Sequence, residues 1–250
     1  MNHPDTSKAK VHFVLLGHPR SGSTLLLNAL REHPGVQAFG EIFQDEPEER
    51  RSQLGGLFAS YENGMDGAAY LRTHVFHARD DEDLLAIGFK LFYFQAREKP
   101  AATAWQYLID EPRIRIVHLS RAQGVEAFVS LCEAEATGKW HVELDEPPAP
   151  TPTPVHVDPE ACLAFLDKVQ VHNAWVRQAF CKHDVLDLSY ERLVRDFSRS
   201  LSDVQTFLEL PCQSLPLLLR KQGTRPLHHR IANFEELRRR LRHTLHALDT

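Results

Sequence analysis

Runs of apolar residues alternate along the chain with segments whose apolar residues recur at helical spacing. These runs predict buried strands at Val11–Leu16, Leu85–Leu91, Arg113–Leu119 and Asp184–Leu188. Strands separated by helices predict an α/β protein with three layers, in which a central, mostly parallel sheet is flanked by helices. Ligands of such sheets bind at the carboxyl ends of the strands, so we expect the functional residues at that edge.

One segment interrupts this alternation. Leu144–Asp158 reads LDEPPAPTPTPVHVD, and its prolines exclude a helix or a central strand. We expect a proline-rich surface loop at 144–158 that is either a connector or a lid beside a binding site. We expect residues 1–10 to form a polar tail. The 250 residues, of which 42% are hydrophobic, predict a single domain that spans 1–250.

Composition narrows the classes of partner. The net charge of −5 argues against a general nucleic-acid binder, which needs a basic surface. No stretch of eighteen apolar residues is present, so we expect neither a signal peptide nor a membrane span. The four cysteines are scattered without a C-x-x-C pair, which is typical of reduced thiols in a cytoplasmic protein.

The segment Val11–Leu30, VHFVLLGHPRSGSTLLLNAL, carries the main chemical signal. A strand that ends at Gly17 is followed by a short turn and a helix, whose first N–H groups and dipole attract an anion. Gly22 allows the backbone to approach a phosphate closely. Charge and hydroxyl donors come from Arg20, Ser21, Ser23 and Thr24. The segment therefore predicts a phosphate loop, and with it a fold of the P-loop type.

The loop differs from that of nucleotide triphosphatases in one position. The usual pattern is G-x-x-x-x-G-K-[ST], in which Lys contacts the terminal phosphates. Gly17 and Gly22 have the correct spacing, but Ser23 occupies the place of Lys and the charge lies at Arg20. An ATP site without that Lys would lack its charge clamp on the transferred phosphate.

The segment PRSGSTLL resembles the 5′-phosphosulfate loop of sulfotransferases that use 3′-phosphoadenosine 5′-phosphosulfate (PAPS). The resemblance is to bacterial carbohydrate and lipid sulfotransferases of the nodulation and trehalose type. A second match is IRIVHLSRAQGVEAFVSLCEA, a strand followed by Arg121 and by a helix that bears Ser130. In the family, this Arg and this Ser bind the 3′-phosphate of the donor.

Two further segments extend the resemblance. LDLSYERLVRDF is similar to a family segment that would bring Tyr190 near the adenine, although Tyr190 could also be an ordinary buried ring. KQGTRPLHHRIANFEEL is similar to the segment that closes over the nucleotide, and it implies donor-binding roles for Lys221, Thr224 and Arg225.

The resemblance implies in-line transfer of a sulfuryl group from PAPS to a hydroxyl of a sugar, glycolipid or related metabolite. Adenosine 3′,5′-bisphosphate is the second product. Arg20, Ser23, Thr24 and the loop amides would stabilise charge on the leaving phosphate, without a metal. The acceptor hydroxyl needs a base within hydrogen-bond reach.

Glu41, in FGEIF, occupies the place of the catalytic Glu of related carbohydrate sulfotransferases. Its alternative interpretation is a surface carboxylate, because an acidic stretch follows it. In the cytosolic steroid branch, a His two residues after a Lys acts as the base. Here Lys90 is present but Phe92 stands at the His position, which favours Glu41 as the base and leaves Lys90 as a bridge to the leaving oxygen.

Two other functions stay open at this point. One is a small-molecule kinase that uses ATP and magnesium, and the other is a non-catalytic module that binds adenosine bisphosphate. His74 and His77 have helical spacing, but no neighbouring ligands complete a metal site. We expect segments 44–78 and 140–157 to form walls of the acceptor site. The sequence also permits a homodimer.

Overall fold

The computed structural model describes residues 9–43, 66–77, 83–98, 100–146, 153–220 and 222–242. Lys221, most of the predicted acceptor wall at 44–78 and the centre of the proline-rich loop lie outside these residues.

The described residues form a five-stranded parallel sheet. Its strands are β1 (Val11–Gly17), β2 (Val36–Glu41), β3 (Ala86–Phe92), β4 (Arg115–Ser120) and β5 (Val185–Ser189). Their order is β2-β3-β1-β4-β5, with β1 in the centre. The order places the ends of β3 and β4 on either side of the loop that follows β1. The predicted α/β class and parallel sheet are confirmed.

Helices follow most strands and cover both faces. They are α1 (Ser23–Arg31), α2 (Gly67–Tyr70), which continues into a π-helical turn at Leu71–Val75, α3 (Thr103–Asp110), α4 (Gly124–Thr137), α5 (Pro159–Ala179), α6 (Tyr190–Arg195), α7 (Phe197–Phe207), α8 (Leu227–Arg230) and α9 (Phe234–Leu241). Among these helices, none has the length and apolar character that a membrane crossing requires.

Two apolar clusters cover the two faces of the sheet. One contains Val14 and Leu16 of β1, and the other contains Phe13 and Leu15 of the same strand, as expected for a central strand buried on both sides. A third cluster joins α4, α5 and α9. It includes the fully buried Val157, so the end of the proline-rich loop is packed in the core and does not run freely over the surface.

Strand β2 was not among the predicted strands. Its sequence, VQAFGE, contains Gln and Gly and lacks the continuous Val and Leu run of the central strands. It lies at the edge of the sheet, next to β3. Glu41 is its last residue, so this strand carries the predicted base to the carboxyl edge of the sheet.

His12 of β1 gives the fold a predicted dependence on pH. Burial, followed by the charges of His77 and Arg113, lowers the pKa of His12 to about 4. The unfolded chain therefore binds a proton more readily, and the stability that His12 contributes above about pH 6.5 is lost as the pH falls towards 4. Allowing for partial exposure, we expect the contribution of His12 to the free energy of unfolding to fall by about 1 kcal/mol between pH 7 and pH 5.

The measurement is urea unfolding at both pH values, compared with His12→Phe. The rings of His12 and Phe76 are stacked, with their centroids 4.4 Å apart, and a phenyl ring at position 12 can keep this contact. Between pH 7 and pH 5, the free energy of unfolding of the variant should fall by about 1 kcal/mol less than that of the wild type. Equal losses in the two proteins would contradict the assignment.

Candidate functional site

The turn between β1 and α1 forms the predicted phosphate loop. Gly22 precedes α1 with φ +85°, in the left-handed region that favours glycine, and no side chain in the described part of the chain caps this helix. Because no side chain of the described residues caps it, the N-terminus of this helix is available to an anion. A Cβ atom on Gly22 would lie 2.9 Å from the Tyr190 ring, so the backbone and this ring are in close contact.

Arg20 connects the phosphate loop to three distant segments. Its Nε–H donates a hydrogen bond to Ser130 Oγ at 2.9 Å, and its terminal N–H groups donate to the carbonyl of Trp140 and to Gln222. Arg20 itself has φ +66°, an uncommon conformation for a residue with a side chain. The structure thus brings together the loop and the Ser predicted to bind the 3′-phosphate, although 110 residues separate them.

Arg121 lies beside the same loop. Its guanidinium donates to the backbone oxygen of Arg20 at 3.1 Å and to Glu126 at 3.1 Å, and it stacks over the Tyr190 ring at 4.3 Å. Glu191 accepts hydrogen bonds from the backbone N–H groups of residues 122 and 123, which fixes the turn that follows Arg121. Tyr190 therefore contacts both Arg121 and Gly22, and its role at the adenine stays a prediction.

The electrostatics of this group favour a bound anion. Burial, and after it the neighbouring Arg121 guanidinium, lowers the pKa of Arg20. The buried Ser21 Oγ and Arg121 Nε have no hydrogen-bond partner in the described structure. An anion with several acceptor oxygens that binds here would accept hydrogen bonds from these two donors and reduce the repulsion between the two guanidinium groups. These donors fit the phosphate groups of an adenosine bisphosphate or of PAPS.

A second polar group lies at the ends of β2 and β3. The Lys90 ammonium donates to Glu41 Oε1 at 2.8 Å and to Thr24 Oγ1 at 3.1 Å. The side chains of Lys90 and Glu41 are only 7% and 17% exposed, so Glu41 is not the surface carboxylate of the alternative interpretation. Burial lowers the pKa of Lys90, and the charge of Glu41 opposes this shift.

A β-bulge directs Glu41 towards Lys90. Side chains two residues apart lie on one face of a regular strand, so Glu41 would share the face of Phe39, which packs in an apolar cluster. The register with β3 shifts between Phe39 and Glu41, and Glu41 pairs with Lys90. The extra residue, Gly40, turns Glu41 to the other face, where Thr24 of α1 lies.

The segment predicted to close over the nucleotide approaches the loop through Gln222. Thr224 is exposed and Arg225 is half-buried, whereas Lys221 lies outside the described residues. The buried Arg230 holds this segment against α4 by a two-bond ion pair with Glu133, at 2.9 and 2.6 Å. Arg230 also donates to the Gly223 carbonyl at 3.5 Å. The donor-binding roles of Lys221, Thr224 and Arg225 stay predictions.

Sequence reasoning missed two polar residues of the site. Gln222 lies within the recognised KQGTR segment, so its position could have indicated it. Gln95 donates to Glu41 Oε2 at 2.8 Å, but it belongs to no motif and to no periodic pattern. Arg20 was predicted to be catalytic as well as donor-binding; its side chain contacts Ser130 and Gln222, and both roles stay predictions. Among the described residues, no cluster of three or more metal-ligating side chains occurs.

Comparison with known proteins places these observations in a family context. The model of a family described as the sulfotransferase family matches residues 13–214. Nodulation protein H of Rhizobium meliloti (strain 1021) is 29% identical over 236 residues, which cover 90% of this chain and 89% of that protein. Nodulation protein H of Rhizobium tropici is 27% identical over 238 residues, which cover 91% of this chain and 88% of that protein.

Solved structures share the fold at lower identity. A sulfotransferase from Alicyclobacillus acidocaldarius is 16% identical with a TM-score of 0.53, and the match covers 97% of this chain and 98% of that one. The sulfotransferase domain from the Synechococcus PCC 7002 olefin synthase is 18% identical with a TM-score of 0.51, and the match covers 85% and 78% of the two chains. The predicted resemblance is confirmed at the level of family and fold.

Proposed function

Because the chain belongs to the sulfotransferase family, we propose that it transfers a sulfuryl group from PAPS to a hydroxyl of a sugar, glycolipid or related small metabolite. The observation that carries the choice of donor is the hydrogen bond from Arg20 to Ser130, together with the hydrogen bond from Arg121 to the Arg20 carbonyl. This arrangement offers two cations and a hydroxyl to one phosphate group of a ligand, while the N-terminus of α1 can bind another phosphate group of the same ligand. An adenosine bisphosphate has phosphates at two positions, and this supports PAPS as the donor.

The residues divide into a binding group and a reacting group. The amides at the start of α1, with Ser21, Ser23 and Thr24, would hold the 5′-phosphosulfate end of the donor. Arg20, Arg121 and Ser130 would hold the 3′-phosphate, and Tyr190 would lie near the adenine. When bound, PAPS supplies a sulfuryl group on a phosphate leaving group.

Glu41 and Lys90 would act on the transfer itself. Glu41 accepts the proton of the acceptor hydroxyl as the hydroxyl oxygen forms its bond to sulfur. The bond between sulfur and the 5′-phosphate oxygen breaks, and its electron pair stays on the phosphate. Glu41 and Thr24 take two of the three Lys90 N–H donors, and the third can bind this leaving oxygen, where negative charge develops.

The kinase alternative conflicts with the charges that surround the loop. ATP chemistry requires magnesium, which is commonly held by an Asp on a strand beside the phosphate loop. The two strands that flank β1 instead bring Lys90 and Arg121 to the loop. Cations at these positions repel magnesium and attract the phosphates of the donor directly.

The test is calorimetric titration with adenosine 3′,5′-bisphosphate and separately with ATP, each without and with magnesium. We expect micromolar, metal-independent binding of the bisphosphate and at least tenfold weaker binding of ATP, because ATP lacks a 3′-phosphate for Arg121 and Ser130. Turnover is then measured as bisphosphate formed from PAPS, with a panel of mono- and disaccharides and with water alone. Tight, magnesium-dependent binding of ATP without a bisphosphate signal would contradict the proposal.

A further inference from the structure

Gln95 is a buried amide that contacts the proposed base and takes no part in the transfer described above. Its side chain lies in the turn after β3 and is part of a residue only 4% exposed. Gln95 Nε2 donates to Glu41 Oε2 at 2.8 Å, while Lys90 donates to the other oxygen of the same carboxylate. Each oxygen of Glu41 is therefore held by a different donor.

The orientation of the Gln95 amide is fixed by its second contact. The backbone N–H of Phe92 donates to Gln95 Oε1 at 2.9 Å. Because an N–H can donate only to the oxygen of the amide, the NH₂ group must point towards Glu41. In a flipped amide, the NH₂ group would face the Phe92 N–H and the oxygen would face the Glu41 carboxylate. Both hydrogen bonds would then be lost.

The backbone around Gln95 is held in place independently of the side chain. The Gln95 N–H donates to the Phe92 carbonyl at 3.0 Å, and the indole N–H of Trp105 donates to the Gln95 carbonyl at 2.8 Å. Ala96, the next residue, has φ +52°, a left-handed conformation that is unfavourable for a residue with a Cβ. The fold accepts this strained conformation in a turn that directs Gln95 to Glu41.

We propose that Gln95 is a positioning residue that holds the Glu41 carboxylate in the orientation needed to accept the proton of the acceptor hydroxyl. This inference rests on the proposed function, in which Glu41 is the general base. An ammonium such as that of Lys90 can pair with either oxygen of a carboxylate, so this contact does not by itself prevent rotation about the terminal bond. The Gln95 donor on the other oxygen opposes this rotation and keeps the carboxylate in one orientation.

The test compares Gln95→Met and Gln95→Glu with the wild type. Met has a similar length but donates no hydrogen bond to Glu41. Glu at position 95 can still accept from the Phe92 N–H while it presents an oxygen to Glu41. For both variants we expect kcat to fall about 10- to 100-fold. KM for PAPS and the Kd of adenosine 3′,5′-bisphosphate should stay within about twofold, since Gln95 does not touch the binding group.

Two controls separate positioning from a general loss of structure. Gln106→Met makes the same substitution at an exposed glutamine of α3, whose contact is with Asp110, and should leave kcat unchanged. Trp105→Phe removes the hydrogen bond to the Gln95 carbonyl without changing the side chain at 95. If Trp105→Phe lowers thermal stability yet keeps kcat within about twofold, instability of the turn does not explain the loss in the Gln95 variants.

A crystal structure of Gln95→Met gives a readout that does not depend on activity, and we expect a rotated or doubly occupied Glu41 carboxylate there. Wild-type kcat in both Gln95 variants, with Glu41→Gln inactive, would overturn this inference alone. A loss in the Gln95 variants with an active Glu41→Gln enzyme would overturn both this inference and the proposed base. A matching rise in the bisphosphate Kd would show that Gln95 shapes the binding group instead.

Discussion

Glu41→Gln is expected to lower kcat by about 10²- to 10⁴-fold while the Kd of adenosine 3′,5′-bisphosphate stays unchanged. The substitution keeps the size of the side chain but replaces a carboxylate that can take a proton with an amide that cannot. Glu41 contacts Lys90 and Gln95, whereas Arg20, Arg121 and Ser130 make their contacts around the other side of the loop. Removal of the base should therefore affect transfer and leave donor binding intact.

The matched control is Glu32→Gln, which makes the same change at an exposed residue just after α1. It should retain wild-type kcat and Kd. Thermal unfolding of both variants checks the fold, because Lys90 loses the charge of its ion-pair partner in Glu41→Gln. Unchanged turnover in Glu41→Gln would move the base to another residue, and lost bisphosphate binding would make Glu41 a structural residue.

The phosphate loop and the strands that carry it could be predicted because their signals are local. The apolar run of β1, the glycine at position 22 and the hydroxyl residues around it lie within one short segment. The same holds for Arg121, which directly follows β4. The family resemblance singled out Arg121, and the predicted parallel sheet placed it at the same edge as the loop. Its position next to the loop follows from the strand order, in which β4 is a neighbour of β1.

The environment of Glu41 could not be predicted in the same way. Strand β2 lacks a continuous apolar run, and the bulge at Gly40 reverses the face on which Glu41 would lie in a regular strand. Gln95, in the turn after β3, contacts Glu41 at the end of the neighbouring strand β2, and the next residue, Ala96, adopts a left-handed conformation. These features depend on pairing between distant segments, which a local pattern does not encode.

Arg121→Ala is the second variant for which we expect a large effect. A lost hydrogen bond to a charged partner costs about 1.5–3 kcal/mol, which raises the Kd of adenosine 3′,5′-bisphosphate by about 10- to 150-fold. The Arg121 side chain is 8% exposed and its Nε has no hydrogen-bond partner in the described structure, so a donor is ready for an incoming phosphate. Titration calorimetry of the two proteins measures the change directly.

Adenosine 5′-phosphate distinguishes contact with the 3′-phosphate from an indirect effect on the loop. This ligand lacks the 3′-phosphate, so Arg121→Ala should bind it as the wild type does. Arg121 also holds the Arg20 carbonyl, and a merely structural role in the loop would weaken both ligands equally. Arg192→Ala, at an arginine whose side chain is 41% exposed and pairs with Asp203, is the control and should change neither affinity. An equal loss for the two nucleotides in Arg121→Ala would therefore remove Arg121 from the 3′-phosphate site and leave Arg20 and Ser130 as its holders.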